Sequence, residues 1–132
     1  MKIAVAANGS TLEALVPGTF EGSPYLLIVE TDDGSFEAFK NPEEEGGAGL
    51  GMTREIMRQD CEAVICGSIE KPAFQELMLA QVTRYMGANC RAAEALRLMD
   101  ANQLDFIRVP NGEAYDPHWH EHNPSGCEGH ED

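Results

Sequence analysis

Residues 25–39 read Tyr25-Leu26-Leu27-Ile28-Val29-Glu30-Thr31-Asp32-Asp33-Gly34-Ser35-Phe36-Glu37-Ala38-Phe39. An apolar run from Tyr25 to Val29 meets Asp33-Gly34, and a second run, Phe36-Glu37-Ala38-Phe39, follows. An Asp-Gly pair between two such runs is the strongest short-range hairpin signal, because glycine accepts the positive φ of a tight reversal. The stretch therefore predicts two antiparallel strands. It decides the fold because the segments after it alternate helix and strand, and an antiparallel hairpin joined to such an alternation implies a mixed sheet with helices packed on it.

Working outward, Ile3-Ala4-Val5-Ala6 is a short buried strand closed by Asn8-Gly9. Downstream, Ala63-Val64-Ile65-Cys66 ends on Gly67, and Val82-Thr83-Arg84-Tyr85-Met86 ends on Gly87. Three helical patterns lie between and after these runs. Leu50, Thr53, Ile56 or Met57, and Cys61 recur at helical spacing, which sets Cys61 against the core. Phe74, Leu77, Met78 and Gln81 do the same behind Pro72, and Ala92, Leu96 and Met99 mark a third helix with Asn89 as N-cap. Pro110-Asn111-Gly112 closes this body, giving an α/β domain over residues 1–109 and a disordered tail over residues 110–132 with too few apolar side chains to build a core.

The chain has 132 residues, 42% of them hydrophobic, and a formal charge of −14. So acidic a surface repels phosphate backbones and has no Lys/Arg cluster to offset that, which excludes nucleic acid as a partner. Met1-Lys2-Ile3-Ala4-Val5 opens a strand directly, without the basic region and long apolar core of a signal peptide, and no apolar run approaches the roughly 20 residues needed to span a bilayer. The four cysteines form no Cys-x-x-Cys pair. The expected location is the cytoplasm, with no membrane association.

Ligand chemistry concentrates at the C-terminus. All four histidines, His118, His120, His122 and His130, stand there with Cys127, six carboxylates and no base after Arg108. Imidazole and thiolate are the ligands borderline metals prefer, and an extended His-x-His-x-His segment puts three imidazoles on one side. A turn at Pro124-Ser125-Gly126 brings Cys127 and His130 close enough to complete a tetrahedral set for Zn or Ni. In the body, Gly46, Gly47 and Gly49 open the first helix, where successive backbone N–H groups and the helix dipole suit an anion. These glycines do not follow a strand directly and no P-loop lysine accompanies them, so nucleotide binding is excluded. Cys66 ends a buried strand where open α/β sheets place their ligands, and Cys90 falls at a helix start. Cysteines so placed are most often small buried apolar residues. With every histidine in the tail, no Ser/His/Asp or Cys/His catalytic set is readable. The innermost strands carry no carboxylates for an acid-dependent nuclease. The expectation is a protein that is not an enzyme.

Met1-Lys2-Ile3-Ala4-Val5-Ala6, then residues 20–29 from Phe20-Glu21-Gly22 onward, Gly47-Ala48-Gly49, Ala63-Val64-Ile65-Cys66-Gly67-Ser68-Ile69 and Gly87-Ala88-Asn89 together resemble the dinitrogenase iron–molybdenum cofactor biosynthesis family. That family includes the NifX proteins, the NifB C-terminal domain and the orange protein of sulfate reducers, and the resemblance covers roughly residues 1–107. It implies a three-layer, ribonuclease-H-like α/β/α fold without nuclease activity. It also implies a role in carrying or assembling an anionic Mo-, Fe- or Cu-sulfur cluster, with cofactor-assembly or client metalloenzymes as partners. By resemblance the cluster sits among loops at the strand ends, which here contain Asn8, Gly9, Phe20, Gly22, Gly46, Gly47, Gly49, Cys66 and Gly67. Members often carry His or Arg before the Phe-Gly of the second motif; this chain has Thr19 there and an extra Glu21 before Gly22. The reading is a non-catalytic carrier of a metal or metal–sulfur cluster. The alternatives are an interaction module of the same fold and a divalent-metal chaperone using the tail.

Deleting residues 112–132 is expected to remove most Zn or Ni affinity while leaving the rest of the chain folded. Titration calorimetry of both forms checks this. The affinity should fall as pH drops through about 6.5, where imidazole gains a proton and loses its lone pair.

Overall fold

A computed structural model describes residues 1–42 and 49–110 of the chain. The elements run β1 (Lys2–Ala7), β2 (Tyr25–Glu30), β3 (Phe36–Lys40), α1 (Leu50–Arg58), β4 (Ala63–Cys66), α2 (Lys71–Leu79), β5 (Thr83–Met86), α3 (Ala92–Asp100) and β6 (Asp105–Phe106).

Side chains alternate across a strand, so a strand dry on both faces belongs in the middle of a layered structure. β1 meets that condition: Ile3, Val5 and Ala7 point to one face, Ala4 and Ala6 to the other, and none is more than 1% exposed. The same alternation sends Leu26, Ile28, Val64 and Cys66 to the face covered by α1 and α2. It sends Leu27, Val29, Ala63 and Ile65 to the face covered by α3. The result is three layers, helices on both sides of one sheet. The sheet order is β3-β2-β1-β4-β5-β6. β2 pairs antiparallel with β1, Ile3 opposite Val29 and Ala6 opposite Leu26. β4 lies on the other side of β1 and runs parallel to it, Val5 opposite Ile65. β5 continues the parallel set, and β6 returns antiparallel with Phe106 opposite Tyr85.

The hairpin between β2 and β3 turns where the Asp-Gly pair places it. Gly34 has φ 79°, and its N–H and the Ser35 carbonyl close the loop on Glu30, each bond 2.8 Å long. Asp33 Oδ1 accepts from the Ser35 amide at 2.9 Å and the Ser35 hydroxyl at 2.7 Å. Those two donors hold its carboxyl below the usual carboxylate range.

Several boundaries differ from the periodic reading. α1 stops at Arg58, so Cys61 is not helical, though it is buried as expected. Gln81 has left α2 with φ 63° and is exposed; Val82 precedes β5 rather than starting it. Arg91, not Asn89, is the N-cap of α3, because the backbone at Asn89 and Cys90 is committed to hydrogen bonds with Val16. The two-residue β6 has no periodic signature and was not expected from the sequence.

One device ends all three helices. After α1, α2 and α3, a residue in left-handed conformation (Asp60, φ 62°; Gln81, φ 63°; Asn102, φ 61°) turns the chain back. The next amide then bonds a carbonyl five residues upstream: Cys61 to Ile56 at 3.2 Å, Val82 to Leu77 at 2.9 Å, Gln103 to Leu98 at 2.8 Å. These are Schellman closures, and none uses glycine. Asn and Asp tolerate the left-handed region, whereas a longer side chain is strained there by about 1 kcal/mol or more. Gln81→Gly is therefore expected to raise stability by about 1 kcal/mol, less whatever the freer unfolded chain takes back. Asn102→Gly should be near neutral. Urea unfolding of both variants measures the difference.

Candidate functional site

The connection between β1 and β2, residues 8–24, folds back across the carboxyl ends of the parallel strands as a strap. On one side it is tied to the segment entering α3: Val16 N–H donates to the Cys90 carbonyl at 2.8 Å, Asn89 N–H to Val16 at 2.9 Å, and Ala92 N–H to Ala14 at 2.8 Å. On the other side it is tied to the segment leaving β4: Ser68 N–H donates to Gly18 and Phe20 N–H to Ser68, both at 2.8 Å. The Ser68 hydroxyl adds a bond to the Gly18 carbonyl at 3.0 Å. At the start of the strap, Asn8 N–H reaches the Leu15 carbonyl at 2.9 Å. Three loops from three strand ends thus form one hydrogen-bonded unit.

The glycines of this unit have distinct reasons. A Cβ on Gly67 would lie 2.3 Å from the Gly18 carbonyl oxygen, so backbone packs directly on backbone there. A Cβ on Gly22 would lie 2.7 Å from Thr19 Oγ1, which accepts the Gly22 N–H at 3.2 Å. Gly49 caps α1 with φ 78° and sits where a Cβ would be 3.0 Å from the Phe20 ring and 3.2 Å from Glu21 Cγ. Gly9 is different: a Cβ would meet only Ala14 Cβ, at the ordinary distance of 3.4 Å.

Of the residues singled out from the sequence, Asn8 and Gly9 lie at the end of β1. Phe20, Gly22, Gly49, Cys66 and Gly67 gather around the neighbouring end of β4. Phe20 is fully buried and serves as the floor under Gly49. Gly46 and Gly47 lie outside the described residues, as do His118, His120, His122, Cys127 and His130. Among the described residues, no group of three or more His, Cys, Asp or Glu side chains stands together as a metal-binding set.

Cys66 belongs to the core on the α1/α2 side, with no exposed surface. Burial pushes its thiol far above the ordinary range, the Glu21 carboxylate adds to that, and Arg84 offsets part of it. A thiolate ligand has to lose that proton, so in this conformation the sulfur is a packed apolar atom and not an open donor. Cys61, at the far end of the same core, is pushed up to about 11 by burial.

Sequence reasoning noted Glu21 only as an extra residue, and the structure gives it a place. Its Oε2 accepts the Glu70 N–H at 2.8 Å, at the N-terminus of α2, and its stem packs against Gly49. A carboxylate thus faces the positive end of a helix, at the rim of the strap. Burial raises its pKa, more than the Glu70 and Glu21 amides lower it, and the Glu70 charge raises it further. The strap itself was also missed. Pro17-Gly18 marks a turn in any local reading, and nothing in it announces contacts with residues 50 positions away.

Burial favours protonated Glu21, so the native state binds this proton more tightly than the unfolded chain, and this group's contribution to stability falls as pH rises above the ordinary value of 4.5. Glu21→Gln keeps an acceptor for the Glu70 amide and carries no charge. The variant is expected to be more stable than the parent at about pH 7 and to converge with it below about pH 4, where both side chains are neutral. Urea titrations at the two pH values check the convergence.

Three solved structures share this architecture. The apo form of the orange protein from Desulfovibrio gigas superposes with a TM-score of 0.77 at 19% identity, over 84% of this chain and 96% of that one. A Thermotoga protein provisionally assigned to NifB gives 0.71 at 21% identity, over 85% and 97% of the two chains. A provisionally assigned dinitrogenase of Methanocaldococcus jannaschii gives 0.66 at 19% identity, over 83% and 97%. Identities this low establish the fold and no more. No curated protein sequence matches significantly. The family model described as dinitrogenase iron-molybdenum cofactor matches residues 1–102, which takes in all of the sheet except β6, the strap and the three helices. On that match, the chain belongs to the dinitrogenase iron-molybdenum cofactor family.

Proposed function

We propose that the protein is a non-catalytic carrier of an anionic metal–sulfur cluster, working in the assembly or trafficking of an iron–molybdenum-type cofactor. The observation that carries this reading is the family match over residues 1–102, which coincides with the body that holds the tied loops. The physical support is the composition of the strap end of the sheet. Gly9, at the end of β1, where a Cβ would meet only Ala14, leaves little side chain between a ligand and the backbone, whereas the Cβ positions of Gly22, Gly49 and Gly67 are taken by the strap itself. A bulky anion needs such close approach to the amides. Cys66 would join the ligand set only by giving up its proton as the strap opened; the glycine rim is the readier contact. The tail, with His118, His120, His122, Cys127 and His130, offers soft donors for Zn or Ni, or for a cluster handed on to a client metalloenzyme.

Anaerobic incubation with tetrathiomolybdate and Cu(I), or with iron and sulfide, is expected to give about one cluster per chain, seen as charge-transfer absorbance and confirmed by elemental analysis. Gly9→Ala should lower uptake at least about tenfold without shifting the thermal midpoint, because the added Cβ meets only Ala14 Cβ, at 3.4 Å, in the folded protein. A parent protein that takes up no cluster under either condition overturns the reading.

A further inference from the structure

A separate surface feature lies at the opposite end of the sheet from the strap. A groove of about 370 Å³ opens between the C-terminus of α2, the start of β5 and the end of β6, lined among others by Met78, Thr83, Arg84, Phe106 and Arg108. Its rim is apolar. Met78 and Phe106, which line it, are 46 and 45% exposed. Its floor is cationic in a chain of charge −14. The Arg84 guanidinium lies 4.7 Å over the Phe74 ring and donates to the Val82 and Ile107 carbonyls at 2.6 and 3.3 Å. These bonds use two of its five N–H groups. Arg108 lies 5.5 Å over Phe106. Neither arginine forms an ion pair among the described residues; the Arg108 charge offsets part of the rise that burial imposes on the Asp105 carboxyl. β6 is the edge strand of the sheet and only two residues long.

We propose that this groove docks an extended acidic and apolar segment of a partner protein, whose carboxylates engage Arg84 and Arg108 while its apolar side chains cover Met78 and Phe106. Charge complementarity selects the occupant. Two arginines with no ion pair among the described residues, in a chain of charge −14, attract a negative segment and fix its register. The exposed apolar rim supplies the burial that ions alone do not. Nucleic acid would offer anions but is repelled by the remainder of the chain, and a second copy brings the same −14 charge to the encounter. The surface is separate from the strap, so the proposal stands or falls independently of cluster binding.

The test uses the full-length protein and two labelled peptides of about twelve residues, one alternating Leu or Val with Glu, the other with Lys in place of Glu, followed by fluorescence anisotropy. The Glu peptide is expected to bind, to weaken with added salt, and to lose affinity about tenfold or more in Arg108→Gln and in Met78→Asp. The Lys peptide is expected not to bind. Both substitutions are at exposed positions, so circular dichroism and the thermal midpoint should match the parent; Arg84→Gln, which also breaks two internal bonds, serves as a third variant. Equal affinity for both peptides, indifference to Arg108→Gln and Met78→Asp, or no binding of the Glu peptide overturns the proposal. Binding that appears only after residues 111–132 are deleted assigns the groove to the chain's own acidic tail. A dimer in sedimentation that Met78→Asp dissolves assigns it to a second copy. Either of these also overturns a separate partner.

Discussion

The structure depends on β1 being dry on both faces and hydrogen-bonded on both edges. A strand in that position has no water to satisfy its amides, so both neighbours are obligatory. On one edge β2 runs antiparallel and can be reached through a loop on the surface. On the other, β4 runs parallel, and a parallel neighbour requires the chain to cross back over the sheet, which is what the segment through α1 does. The side chains of β1 tune the two faces. Ala4 and Ala6 leave room for Met52, Ile56 and Phe74 on the α1/α2 side, while Ile3 and Val5 pack into the core on the α3 side.

Much of this was legible in the sequence, because it is written at short range. The apolar runs at 3–6, 25–29 and 63–66 are strands since each is buried on both faces, and burial of that kind leaves a continuous run. Asp33-Gly34 reads as a reversal because the constraint is on one residue's φ. The failures have a common cause in contacts formed over long distances along the chain. Asn89 reads as an N-cap locally, but its amide is bonded to Val16, and the helix begins only after Arg91. Gln81 fits the apolar spacing of α2 only by position; the chain must turn there to deliver Val82 and Thr83 to the sheet.

The candidate site was legible in a similar, partial way. The glycine-bearing loops were identified as a group from the resemblance, and the structure brings those it describes to one end of the sheet. The reasons for the glycines were not readable. Gly67 needs to lack a Cβ because Pro17 and Gly18 lie against it, a packing requirement that looks in sequence like any ligand-binding glycine. Glu21 likewise gives no local signal of its position at the start of α2. At the other end of the sheet, Arg84 is a strand residue among apolar neighbours, and only the fold reveals that it forms no ion pair among the described residues.

The hydrogen bonds that tie the strap to two other loops have an implication for how such a site can change. In many α/β proteins each loop at the strand ends varies on its own, and a new specificity arises by editing one of them. Here the loops after β1, β4 and β5 share backbone bonds through Val16, Gly18, Phe20, Ser68 and Asn89. An insertion in any one shifts the acceptors of the other two. The three loops therefore behave as a single exchangeable cassette: grafting them between relatives calls for moving all three at once, and natural drift in one is expected to be matched by compensating change in its companions.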